Sequence, residues 1–268
     1  MLDLTLTQYI LIGLVFMWSG FVRSGLGFGG AVLALPFLLL IDDRPLVYLP
    51  LIAVHLLVFS AATVIIRHFK KNKIMMGNTA NASEGNIDWN YLKFAFSIII
   101  IPKLIGVFGL ITLPSTVMSL IIFVIVCCYS LSYLFNKPLA SHNRWLDILF
   151  LMLGGYISGT SLIGAPLIIA VIANHVNKYQ LRDTLFVLWF ALVSIKMSMF
   201  IYLGVDLHLI QHLWLLPCTL VGHCIGLHFH QRLLEGNQVV FYRVLGSVLL
   251  VISLIGIYQL SVSNALGA

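Results

Sequence analysis

The chain predicts an all-α fold, a polytopic bundle of transmembrane helices, and three observations carry that prediction. Of its 268 residues, 60% are hydrophobic and only 9% are charged, whereas soluble domains carry about 25% charged residues. Apolar runs long enough to cross a bilayer recur along the whole sequence. The basic residues gather in alternate loops between those runs. A chain so poor in charge cannot cover itself with a water-compatible surface. The net charge of +6 therefore points to membrane topology rather than to nucleic acid.

Ten apolar segments follow one another: 4–22, 27–41, 45–66, 91–112, 115–135, 145–157, 161–174, 181–203, 209–229 and 239–259. A span needs about 20 residues. The third, fourth, fifth, eighth, ninth and tenth segments reach it. Segments 27–41, 145–157 and 161–174 are short. Each short pair is joined by small or turn-prone residues, Arg23-Ser24-Gly25-Leu26-Gly27 in the first case and Ser158-Gly159-Thr160-Ser161 in the second. Both pairs read as re-entrant or broken hairpins, which are tolerated at membrane depth only beside protein or a polar cavity.

Counting crossings places loops 67–90, 136–144, 175–182 and 230–238 on one side. That side collects Arg67, Lys70, Lys71, Lys73, Lys93, Lys137, Arg144, Lys178, Arg182, Arg232 and Arg243. The other side holds Arg44, Asp3, Asp42, Asp43 and Asp206. The basic side is cytoplasmic by the positive-inside rule, so both termini are expected outside a cell (inner) membrane, with Trp89 and Trp145 at the interfaces. The first segment lacks a basic leader and a cleavage pattern, so it is expected to be retained.

The sequence also repeats. Ser24-Gly25, Gly30 and Ala31 recur as Ser158-Gly159, Gly164 and Ala165 at an offset of 134. Gly85-Asn86-Ile87-Asp88-Trp89 and Gly204-Val205-Asp206-Leu207-His208 precede the fourth and ninth segments. Residues 1–136 and 137–268 are thus expected to be two repeats of five segments. An odd number inverts the second copy, an arrangement that places a solute site between the repeats.

The hairpins are expected to meet tip to tip. Each returning helix then presents free N–H groups and its positive dipole end, which favour an anion. Gly25, Gly27, Gly29, Gly30, Gly159 and Gly164 would let the backbone approach a ligand, and Ser24, Ser158, Thr160 and Ser161 add hydroxyls. The competing reading makes the glycines helix-packing residues. Lys103 and Lys196 fall deep inside segments, where a lysine costs roughly 2.5–3.5 kcal/mol and is usually functional. Substrate attraction stands against hydrogen bonding to a carbonyl. Arg23 either anchors the end of the first segment or sits at the tip beside the site, where its fork suits an oxyanion. Its counterpart in the second repeat is Ile157.

His55 and His223 are candidates for proton coupling, with packing as the alternative. Cys224 and His228 lie four apart, but two ligands do not make a metal site. Cys127, Cys128, Cys218 and Cys224 all sit in apolar runs and read as packing residues. No P-loop, Rossmann fingerprint, HExxH or GxSxG occurs, and no cofactor or enzymatic activity is expected.

The stretch from Gly25 through Ala31 with Pro36, the Gly85–Trp89 motif, the run from Gly155 to Pro166, and Gly204-Val205-Asp206 together resemble the sulfite exporter TauE/SafE family, also called the toluene-sulfonate uptake permease family. The similarity covers about residues 5–260 and rests on the order, duplication and spacing of these motifs. It implies an inner-membrane permease or exporter for sulfite, an organosulfonate or a related sulfur-containing anion. The expected partners are that small anion and the lipid bilayer. Two rivals stand beside it: a membrane chaperone or accessory subunit that carries nothing, and a metal or cation carrier using the histidines.

Overall fold

The computed structural model describes residues 4–26, 30–75, 87–135, 143–235 and 238–266. Among them are ten α-helices, one 3-10 turn and no strand. The first five helices are α1 (Leu6–Leu26), α2 (Gly30–Ile41), α3 (Pro45–Met75), α4 (Trp89–Thr112) and α5 (Ser115–Leu134). The second five are α6 (Arg144–Ser161), α7 (Ala165–His175), α8 (Lys178–Tyr202), α9 (His212–Glu235) and α10 (Gln238–Leu266), with the 3-10 turn Leu209–Gln211 leading into α9. Seven helices are long and apolar enough to cross a membrane: α1, α3, α4, α5, α8, α9 and α10. The first segment therefore joins the six expected long ones. At about 1.5 Å per residue, α2 with 12 residues and α7 with 11 cover little more than half a bilayer.

The second hairpin differs from expectation. Ser158, Gly159, Thr160 and Ser161 do not form its joint; they are the last residues of α6. The Thr160 and Ser161 hydroxyls donate back to the Ile157 carbonyl at 3.0 and 2.9 Å, so they satisfy themselves on their own helix. The break comes next, at Leu162, whose backbone is left-handed with φ 61°. Pro166 near the start of α7 explains its place. An unbroken helix would press the proline ring into the carbonyl four residues back, that of Leu162. Likewise α1 runs past Arg23 to Leu26, so the first joint lies beyond the arginine. The far end of α7 is tied down by His175, whose Nε2 lies 2.9 Å from Asp147 Oδ2 in the first turn of α6.

Close backbone contacts set the helix pairs. The most extensive are α1 with α9, α4 with α6, and α5 with α10. A Cβ on Gly222 would collide with the Met17 carbonyl, one on Gly226 with the Phe21 carbonyl, and one on Gly20 with the Thr219 carbonyl. On α4 and α6, Gly106 meets the Tyr156 carbonyl and Gly159 the Lys103 carbonyl. Lipid is as apolar as leucine, so such pairs are held by van der Waals contact, which small residues make possible. Outward faces are apolar as well, with Ile101, Ile105 and Phe108 on α4 and Val251, Leu254 and Ile255 on α10 exposed. By contrast α2 is buried along most of its length, enclosed by protein rather than lipid.

The packing glycines have measurable weight. Gly222→Ala is expected to lower stability by about 1–3 kcal/mol, the usual cost of forcing extra carbon into a close contact. Gly109, whose added Cβ would find only the Tyr156 hydroxyl at 3.9 Å, serves as control: Gly109→Ala is expected to stay within about 0.5 kcal/mol of the parent. Unfolding of both variants in detergent checks the contrast.

Candidate functional site

Where α6 breaks, the Ser158 carbonyl keeps the Leu162 N–H at 3.3 Å, while the carbonyls after it run out of intrahelical donors. Two lysines supply the missing donors. Lys103 Nζ, from α4, donates to Ser158 O at 3.3 Å and to Ser158 Oγ at 2.9 Å. Lys196 Nζ, from α8, donates to Gly159 O at 2.6 Å and to Thr160 O at 3.3 Å. Both side chains are 0% exposed. Their ammoniums meet the negative end of a helix dipole, and the Lys196 ammonium also lies 5.4 Å from the centre of the Phe200 ring. The lysines are thus placed as carbonyl-bound groups, and neither lines the cavity beside them.

That cavity has a volume of about 60 Å³, room for roughly four waters at ~15 Å³ each. Arg23, Gly30 and Ala31 come to it from the first hairpin, and Ser158, Leu162 and Ala165 from the second. The start of α2 and the start of α7 therefore open on one space. Ser60 from α3 and the aromatic face Phe186, Trp189 and Phe190 of α8 complete the wall. Neither Ser60 nor the aromatics were singled out from sequence, although the i, i+3, i+4 spacing of the three rings was visible there.

Arg23 lies beside the hairpin tips and does not simply anchor a helix end. Its Nη1 donates to the His55 carbonyl at 3.0 Å. Its guanidinium stacks over Phe59, 4.3 Å from the ring centre. Its Nη2 is buried and has no hydrogen-bond partner. A buried guanidinium with an unmet donor beside a small cavity is an anion-ready group, because burying such a donor unpaired is costly.

The remaining candidates divide. The Ser24 hydroxyl donates to the Gly20 carbonyl at 2.7 Å, and the Thr160 and Ser161 hydroxyls are committed to Ile157, so none of the three offers its proton to the cavity. Ser158 Oγ accepts from Lys103 and keeps its own proton to donate. Gly159 and Gly164 make close backbone contacts, with Lys103 O and Gly154 O respectively; these contacts account for them by packing. Gly25 belongs to the last turn of α1, while Gly27 and Gly29 lie outside the described residues. His55 is buried beside Phe16 and His212, and His223 sits against Phe59. Cys224 and His228 are exposed on α9, and among the described residues no three metal-ligating side chains come together.

The lysine bonds predict a stability effect. Lys103→Met keeps volume but strips the donor from Ser158, which is expected to cost about 1–3 kcal/mol. Ser158→Ala leaves the Ser158 carbonyl in place and is expected to cost less. Thermal unfolding in detergent measures both; an unshifted Lys103→Met would contradict the carbonyl-holding role.

The geometry can be set beside known proteins. No curated protein and no solved structure matches the chain. A family model described as sulfite exporter TauE/SafE matches residues 11–255, nearly the whole chain and every helix described above in whole or in part. With its all-helical fold and seven long apolar spans, this multi-pass membrane protein belongs to the sulfite exporter TauE/SafE family of transporters.

Proposed function

We propose that this protein is a secondary carrier of a small sulfur-containing oxyanion, sulfite or a compact organosulfonate, and that the cavity between the hairpins is its solute site. The observation that carries the reading is the unpartnered Nη2 of Arg23 at a wall shared by residues of both hairpins. Arg23 would take two oxygens of the anion. Free N–H groups at the starts of α2 and α7 would take others, and the Ser158 hydroxyl would donate a further bond. Lys103 and Lys196 act from one layer out, holding Ser158 and the broken end of α6 in place. A volume of about 60 Å³ suits an anion of four heavy atoms better than a bulky aryl sulfonate.

The inverted repeat belongs to this reading. Under the 134-residue correspondence, α1 matches α6. The Asp88 and Asp206 motifs match α4 to α9. The pairs α1–α9 and α4–α6 then exchange with one another, which is what two inverted copies would produce. Alternating access would follow from motion of these pairs about the fixed cavity. In the proposed orientation the basic loops face the cytoplasm of a cell membrane and both termini lie outside.

A thermal-stability screen against sulfite, sulfate, methanesulfonate and carboxylates tests the site. Sulfite or sulfate is expected to stabilise the protein. Arg23→Gln is expected to weaken that effect by about ten- to a hundredfold, the worth of hydrogen bonds to a charged group, and Arg23→Lys to recover part of it. Equal stabilisation of the parent and Arg23→Gln would refute the assignment.

A further inference from the structure

Behind the cavity lies a second cluster that the solute site does not use. His55 of α3 and His212 of α9 are 3% and 6% exposed, and their ring centres are 5.1 Å apart. His55 Nδ1 lies 2.6 Å from the Leu51 carbonyl, and His212 Nε2 lies 3.2 Å from the Leu207 carbonyl. A carbonyl oxygen only accepts, so each of these nitrogens carries the hydrogen. The opposite nitrogens, His55 Nε2 and His212 Nδ1, are then bare lone pairs in the neutral rings. Both are buried and make no hydrogen bond, although the Leu215 carbonyl also acts on the His55 ring. Two adjacent buried acceptors, with tautomers set by their carbonyl partners, form a place for a proton.

We propose that the His55–His212 pair is the proton-carrying site of the transporter, coupled to the solute through Arg23. This rests on reading the cavity as the solute site. The coupling is electrostatic and runs through one residue. Arg23 from α1 holds the His55 carbonyl at 3.0 Å and forms part of the cavity wall. With the cavity empty, its charge opposes a proton on the pair. An anion on Arg23 cancels that charge and admits the proton. By linkage, a proton on the pair favours the anion to the same degree. The charged or titratable groups acting on the pair are Arg23 from α1 and His208 from the loop before α9. His208 Nδ1 is itself 3.1 Å from Oδ2 of the exposed Asp206. His223, whose Nδ1 is likewise buried without a hydrogen-bond partner, packs on Phe59, the ring under Arg23, and has no ring contact with the pair among the described residues.

The test uses full-length protein in liposomes with an internal pH dye. Radiolabelled sulfate and methanesulfonate are the probes, since neither carries a proton of its own at neutral pH. His55→Asn keeps a donor for Leu51 O, and His212→Gln keeps one for Leu207 O. Both variants are expected to retain anion counterflow while losing at least tenfold in accumulation driven by a pH gradient. Gradient-driven accumulation at the parent's level would overturn the proposal. So would loss of counterflow and accumulation together in a variant whose melting is unchanged, because the pair would then serve anion binding. Should either variant fail to fold, the parent's proton-to-anion ratio decides, and a ratio of zero overturns it. Absence of counterflow in the parent with both probes would strike the carrier reading itself, and the coupling with it.

Discussion

Two ammonium groups held against the open end of one helix are the interaction on which this architecture depends. α6 stops inside the protein, and of its last carbonyls Ser158 keeps one backbone donor, Leu162 N–H, while those of Gly159 and Thr160 take theirs from a lysine. Lys103 and Lys196 reach that end from two other helices and make four hydrogen bonds with it. Each lysine costs roughly 2.5–3.5 kcal/mol to place at such depth. Hydrogen bonds to charged groups contribute about 1.5–3 kcal/mol each, enough to offset that cost. The two positive charges also bear on each other, so the arrangement holds because one helix end satisfies both. Only with the break stabilised can α7 begin where it does, beside the cavity.

Electrostatics and packing are joined at that break. Gly159 passes its carbonyl to Lys196 while its missing Cβ lets the Lys103 backbone lie against it. One residue thus serves the contact between α4 and α6 and the hydrogen bond to α8. Ser158, its neighbour, faces Lys103 on one side and the cavity on the other. The cavity wall therefore carries no formal charge beyond Arg23, and the lysines support it from behind.

Much of this was legible in the sequence. The long spans, the short α2 and α7 and the burial of Lys103 and Lys196 followed from hydropathy and position alone, whereas segment 145–157, expected to be short, is part of the 18-residue α6. The expected meeting of the two hairpins is seen for Arg23, Gly30 and Ala31 with Ser158, Leu162 and Ala165, which line one cavity. What the sequence hid were directions. A lysine deep in an apolar run reads the same whether it faces a solute or a carbonyl, and only the break at Leu162 decides. That break was misplaced because Ser158 through Ser161 look like a turn, whereas their hydroxyls fold back on the helix and Pro166 sets the actual limit. The role of Arg23 turned on whether its helix stops before or after it. The aromatic wall from α8 went unnoticed because Phe186, Trp189 and Phe190 resemble any lipid-facing stripe until a cavity gives them an inside.

The pairing of α1 with α9 also bears on how the chain is made. The glycine-smoothed face of α1 enters the bilayer first, yet its partner surface at Thr219 and Gly222 is synthesised about two hundred residues later, a contact of very long sequence separation. Until then α1 has α2 and the Arg23, Phe16 and Phe59 contacts with α3 against it, but not its most extensive partner. The face of α1 that meets α9 is therefore completed only after about two hundred further residues have been made. Assembly is thereby tied to completion, and truncated products are left with an unmatched helix for quality control to find.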